Sequence, residues 1–178
     1  MTRNMDVISI NCTACGAGLD VLGGGRVQTH VCSYCGSYLD AQDAYKVLQK
    51  FDSIDRPESP FSIGMTGQVM GVDYTVIGTL GFEERYHGRS WRWVDHQLYS
   101  PTHGYAFMTV EKGHFIFSRP YRKSTTPDWL DAAELETRET PPSVMAGDGR
   151  FRYYDTSNAK ITFAEGEFNW QPKLDDRS

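Results

Sequence analysis

The sequence predicts a mainly β chain: an N-terminal zinc ribbon followed by a small antiparallel β-barrel or sandwich domain with one or two short helices. Three observations lead there. Two Cys-x-x-Cys-Gly pairs sit in the first fifth of the chain, and short aromatic-rich runs of strand length follow one another from Ile63 onward. The third is composition, since seventeen glycines among many Tyr, Phe and Trp residues suit turns and strands better than long helices. The expected organisation is a ribbon with a following helix over residues 1–51, a linker over 52–62 and a β-rich domain over 63–178.

The first pair is Cys12-Thr13-Ala14-Cys15-Gly16 and the second Cys32-Ser33-Tyr34-Cys35-Gly36, with sixteen residues between Cys15 and Cys32. That spacing falls in the range of about 15 to 20 residues that separates the two halves of a zinc site. Two residues between cysteines let both thiolates reach one ion. A glycine after the second cysteine can take the left-handed conformation that closes the turn. Cys12, Cys15, Cys32 and Cys35 are therefore the expected ligands of one Zn2+ ion. Four cysteines fill all four tetrahedral positions and leave none for water or substrate, which makes the expected ion structural. Binding of about 10–16 kcal/mol can fold a module too small to sustain its own core. A redox dithiol pair and a rubredoxin-like iron site are the alternatives on ligand chemistry. His30, two residues before Cys32, is a surplus candidate and reads as an exposed strand histidine.

Between the knuckles, Leu19–Leu22 and Arg26–Val31 read as two strands joined in a hairpin by Gly23-Gly24-Gly25. No Lys-Ser or Lys-Thr follows those glycines, so they do not read as a phosphate loop. After the second knuckle, Asp40 is placed to cap a helix from about Ala41 to Lys50, because Ala44, Tyr45, Leu48 and Phe51 fall on one face at helical spacing. Pro57 and Pro60 then break the pattern.

The second domain reads as strands at Thr66–Met70, Tyr74–Gly81, Trp91–Tyr99, Tyr105–Val110, His114–Ser118, Phe151–Tyr154, Lys160–Phe163 and Glu167–Trp170. Lys112-Gly113 forms a hairpin turn, and a short helix is expected from Pro127 to about Arg138 with Thr126 as its cap. The motifs Ile63-Gly64-Met65-Thr66-Gly67, Tyr74-Thr75-Val76-Ile77-Gly78, Trp91-Arg92-Trp93, Leu98-Tyr99, Gly104-Tyr105, Gly113-His114-Phe115 and Gly166-Glu167-Phe168-Asn169-Trp170 resemble the bacterial domain of unknown function numbered 4178, often found behind a zinc ribbon. The likeness covers about residues 60 to 172. It implies a β-rich domain with no established catalytic activity, whose relatives neighbour polyamine-synthesis and membrane-associated genes. The tail Lys173–Ser178 is similar to the start of another copy of that domain, so the chain is expected to be a single-copy member or the front of a longer architecture.

A net charge of −5 disfavours nucleic acid as a partner. Residues 63–123 carry seven Lys or Arg against five Asp or Glu, and residues 124–178 carry six against eleven. Arg85, Arg89, Arg92, Arg119, Arg122 and Lys123, interleaved with Tyr86, Trp91, Trp93 and Tyr121, are nonetheless candidates for a basic aromatic surface. The alternation favours aromatics facing the core and cations facing water. His87, His96, His103 and His114 lie near Asp73, Glu83, Glu84 and Asp95 without metal-hydrolase spacing. Asp95 and His96 are adjacent in a strand and point to opposite faces. No nucleophile elbow or dinucleotide fingerprint is present, so no catalytic or cofactor-binding residue is assigned beyond the metal ligands. No apolar run approaches the ~20 residues of a membrane helix, and reduced cysteines point to the cytoplasm.

The leading expectation is a non-enzymatic interaction or scaffold module with an unidentified protein partner. It would be accessory to polyamine or membrane-associated bacterial systems, with a membrane-linked complex as one setting. The alternatives are a nucleic-acid-binding zinc ribbon and an enzyme acting on a small cationic substrate.

Overall fold

The computed structural model describes residues 8–50, 55–127, 139–140, 142–154 and 157–172. Residues 128–138 of the expected second helix and the tail Lys173–Ser178 lie outside them. The chain divides into two compact units, Met1–Arg119 with Ala159–Ser178, and Pro120–Asn158.

The first unit begins with a two-stranded ribbon, β1 (Ile8–Asn11) and β2 (Gly18–Val21). Its other strands are β3 (Thr29–Val31), β4 (Ser37–Asp40), β5 (Lys46–Lys50), β6 (Thr66–Val69), β7 (Val72–Tyr86), β8 (Arg89–Ser100), β9 (Gly104–Glu111), β10 (His114–Ser118) and, late in the chain, β13 (Ala159–Phe168). The described residues of the second unit form one hairpin, β11 (Ser143–Ala146) and β12 (Gly149–Arg152). The main sheet runs β10-β9-β8-β7-β13-β3-β4-β5, with β6 beside the start of β7. It is an open antiparallel sheet, not the closed barrel that the sequence allowed.

Consecutive hairpins explain β7 to β10. Lys112 and Gly113 both have positive φ, the requirement of the tight primed turn expected there. His87-Gly88 does the same between β7 and β8. The less local event is β13, which pairs with β7 on one side and with β3 on the other. Strands of the cysteine-rich segment thereby join the same sheet as the strands that follow Ile63.

Both faces of the middle of β7 are buried. Cross-strand partners share a face, so Leu80 with Asp95 and Phe82 with Trp93 lie on one side and Thr79 with His96 on the other. The first side carries a core of Val31, Tyr38, Leu80, Phe82, Ile161, Ala164 and Phe168, with the Trp93 ring stacked on Phe82 at 5.4 Å. On the second, Tyr74, Val76, Leu98 and Ala106 pack with Phe61. Residues 55–62, the described part of the stretch expected as a linker, cross this second side and are tied down by Arg56 to Glu165, by Ser59 to His96 at 2.6 Å, and by Phe61 edge-on to His96.

Three local expectations are corrected. Residues 41–50 are not a helix: a turn leads into β5, which pairs with β4. Asp40 caps that turn by accepting the Gln42 N–H at 2.9 Å, and Ala44 and Tyr45 both take positive φ, which an α-helix does not tolerate. Gly23-Gly24-Gly25 does not join a hairpin either. A 3-10 turn over Gly24–Arg26 carries the chain from the β1–β2 ribbon into the main sheet, and β2 and β3 do not pair. Finally, His30 is buried, because β3 is an interior strand.

Gly78 and Gly166 face one another across β7 and β13. A Cβ on Gly166 would fall against the Ile77 carbonyl oxygen, and its φ of +81° is one that side chains rarely adopt. Gly166→Ala is expected to destabilise the fold by about 3 kcal/mol, from backbone strain and overpacking together, measured by urea denaturation. A loss under about 0.5 kcal/mol would contradict the close approach of these strands.

Candidate metal centre

Each cysteine pair occupies the turn of a hairpin, Cys12 and Cys15 between β1 and β2, Cys32 and Cys35 between β3 and β4. The two turns are built alike. Gly16 N–H donates to the Cys12 carbonyl at 2.8 Å and Gly36 N–H to the Cys32 carbonyl at 2.9 Å. The Cys12 and Cys32 N–H groups in turn bond the Ala17 and Ser37 carbonyls. Gly16 has φ +79° and Gly36 φ +68°, the left-handed closure expected at both positions.

The two turns bring all four sulfurs within 4.8 Å of one another. Cys12 and Cys35 Sγ are 3.8 Å apart, as are Cys15 and Cys32 Sγ. Four sulfurs at ~2.3 Å from one ion, in a tetrahedron, stand about 3.8 Å apart, so the cluster has the size of a metal-thiolate site and is too open for disulfides at ~2.05 Å. Leu19 and Leu39 pack against Cys12 and Cys32 as a small separate core, flanked by Ile10 and Tyr45.

Burial and hydrogen bonding pull the thiols in opposite directions. Burial pushes Cys32 up to about 12. Burial acts the same way on Cys35, but hydrogen bonds from the Ser37 hydroxyl and backbone outweigh it and bring that thiol down to about 6. The Ser37 hydroxyl lies 3.2 Å from Cys35 Sγ and can donate to a thiolate there. A divalent cation would replace the protons of all four groups at once.

Behind this cluster lies a residue that sequence reasoning missed. Glu167 on β13 is buried, and its Oε2 accepts the N–H groups of Leu22 at 2.6 Å and Gly23 at 2.7 Å. Tyr105 Oη donates to the Gly23 carbonyl at 2.7 Å, and a Cβ on Gly24 would strike the Tyr99 ring. The loop that follows the first knuckle is therefore clasped by β13, β8 and β9. Glu167 Oε1 sits 4.0 Å from His30 Nδ1, and neither atom has a hydrogen-bond partner. Burial raises Glu167 to about 7 and lowers His30 to about 4, so both are favoured neutral at mildly acid pH. In an alternating strand Glu165 and Glu167 read as solvent-facing, and no signal in the sequence marks them as buried.

The remaining candidates do not converge. His87, His103 and His114 are exposed, whereas His96 is buried with Nε2 on Ser59 and Nδ1 3.1 Å from Thr79 Oγ1. Asp95 is on the opposite face from His96, as expected. Glu83 is buried and holds Arg92 and Arg85, which keep its carboxyl down at about 2. Trp93 packs inward, in line with the alternation, but Tyr86 and Tyr121 are exposed. Among the described residues the four cysteines form the one group of three or more His, Cys, Asp or Glu side chains close enough to share a metal ion. No helix among them is long and apolar enough to cross a membrane.

Residues 62–178 match the family model described as Domain of unknown function (DUF4178). No curated protein and no solved structure matches the chain.

Proposed function

The chain belongs to the DUF4178 family, whose description names no activity, and we propose from its own residues that it is a non-enzymatic interaction module braced by one structural zinc ion on Cys12, Cys15, Cys32 and Cys35. The observation that carries this reading is the sulfur cluster itself, two pairs at 3.8 Å with four donors and, among the described residues, no fifth protein group with them. A closed sulfur shell suits Zn2+ and leaves no position for a reacting water. Such an ion rigidifies the two knuckles, and His96, Glu83 and Glu165 are each occupied in structural contacts, which supports a binding role over a catalytic one.

Metal analysis of the purified full-length chain tests the site. One zinc per chain is expected, and replacement by Co2+ should give the visible spectrum of a tetrahedral thiolate complex. Iron, or a metal-free folded chain, would overturn the assignment. The partner is expected to be a protein met in the cytoplasm, where thiols stay reduced. Affinity purification under reducing conditions should recover it with the wild-type chain and lose it after chelation. An accessory role beside polyamine or membrane-associated systems rests on the family likeness alone.

A further inference from the structure

No described residue of the second unit, Pro120–Asn158, belongs to the sulfur cluster. This unit gathers two stretches of one character that are far apart in sequence, Tyr121-Arg122-Lys123 and Arg150-Phe151-Arg152-Tyr153-Tyr154. Thr126 bridges to Met145 of β11 through reciprocal N–H to carbonyl bonds of 2.9 Å, which lays the first stretch beside the hairpin. The Tyr121 ring then stands 5.6 Å from the Phe151 ring.

These rings are not a core. Tyr121, Phe151 and Tyr154 are 46%, 51% and 80% exposed, and Arg122, Lys123, Arg150 and Arg152 are exposed as well. Register separates the groups along β12. Arg150 opposite Met145 and Arg152 opposite Ser143 share one face, and Phe151 opposite Val144 lies on the other. The edge of β12 away from β11 has no strand partner among the described residues. Guanidinium groups therefore fringe one side of a free strand edge and a pair of aromatic rings the other. The described part of this unit sets four cations against Glu139 and Asp148, in a chain of net charge −5; Asp128, Asp131, Glu134, Glu136 and Asp155 lie outside the described residues.

We propose that the β11–β12 hairpin with Tyr121–Lys123 is a docking surface for single-stranded nucleic acid. Phosphates meet Arg150, Arg152, Arg122 and Lys123, and unpaired bases stack on Phe151, Tyr121 and Tyr154. Exposed rings of this kind accept any base, because every base has a π-face, and arginine adds stacking to its charge. A duplex hides those faces, so the rings favour a single strand. An anionic membrane would meet the same cations, yet tyrosines paired with one phenylalanine offer little aliphatic depth for insertion.

Fluorescence anisotropy of a labelled 20-nucleotide oligothymidine with the full chain tests this. Saturable binding is expected at 50 mM salt, falling about fifty-fold at 200 mM for four phosphate contacts. Arg152→Gln should weaken binding and flatten the salt dependence. Tyr154→Ala should weaken it about ten-fold with the salt dependence kept, and as the most exposed of the three rings it leaves the hairpin fold untouched. Phe151→Ala should have a larger effect, with circular dichroism checking the hairpin. Absence of saturable binding at 50 mM salt would overturn the proposal. So would wild-type affinity in both Arg152→Gln and Tyr154→Ala, a preference for duplex of the same length, or binding to vesicles containing phosphatidylserine in place of the oligonucleotide.

Discussion

Cys32→Ser is expected to abolish stoichiometric zinc binding and to release a larger part of the molecule than the cysteine-rich segment alone. A structural zinc site contributes on the order of 10 kcal/mol to the folding of its module, and a hydroxyl in place of a thiolate forfeits much of that. From the sequence the expected damage stops near residue 50, with the β-rich part intact. The ladder of β3 with β13 changes this, since Val31 faces Gly166, His30 faces Glu167 and Thr29 faces Phe168. Hydrogen exchange should therefore show lost protection over residues 8–50 and over Gly166–Phe168, while β8, β9 and β10 keep theirs. Wild-type zinc content in the variant would defeat the metal assignment. Metal loss with full protection at Gly166–Phe168 would uphold the metal assignment and defeat the coupling.

The second large effect concerns Glu167. Its carboxyl accepts two backbone N–H groups inside the fold, and removing the acceptor leaves two buried donors unpaired at about 1–3 kcal/mol each. Glu167→Ala is expected to cost about 4 kcal/mol. Glu167→Gln keeps an acceptor without the charge and separates the two contributions. The folded-state carboxyl titrates at about 7, raised by burial from 4.5, so between those values the native state binds more protons than the unfolded one. The stability this supplies is fully present below pH 4.5 and is lost as pH rises through 7. The shift corresponds to about 3 kcal/mol. His30 and His96, both lowered to about 4 by burial, act in the opposite sense, with stability lost as pH falls from 6.5 toward 4. Both histidines are present in wild type and variant, so their contributions cancel when the two are compared at each pH. Glu167→Gln should thus match wild type near pH 5 and exceed it by about 2–3 kcal/mol at pH 8, measured by urea denaturation. A difference that does not change with pH would refute the raised titration of Glu167.

What could be read from the residues and what could not divide along physical lines. Cysteine spacing and the glycine after each pair are local properties, and the geometry of both knuckles follows from them. The hairpins from β7 to β10 are legible for the same reason, as the Lys112-Gly113 turn shows. Sequence and structure part where a local pattern has two solutions. Ala44, Tyr45 and Leu48 fit a helical period, but Ala44 and Tyr45 take left-handed backbone in a turn, and residues 46–50 add a strand to an existing edge. A triple glycine between two strand-like runs fits a hairpin turn equally well. In the fold Gly23 and Gly24 are small because Val27, Ile77 and Tyr99 crowd them. The partner of β3 is a strand more than a hundred residues away, and with it the buried environment of His30 and Glu167 stayed out of reach of any windowed pattern.

The late position of β13 has a bearing on birth as well as on endurance. A ribosome must add every residue from Val31 to Ala159 before the first of the two neighbours that flank β13 can be joined to the second, which at ~5–20 residues per second takes on the order of ten seconds. During that interval the nascent knuckles can already have captured their ion while Val31, His30 and Thr29 present a bare backbone edge to the cell. Early metal capture would then act as a guardian of the unfinished chain, holding an aggregation-prone edge in its final shape until its mate emerges.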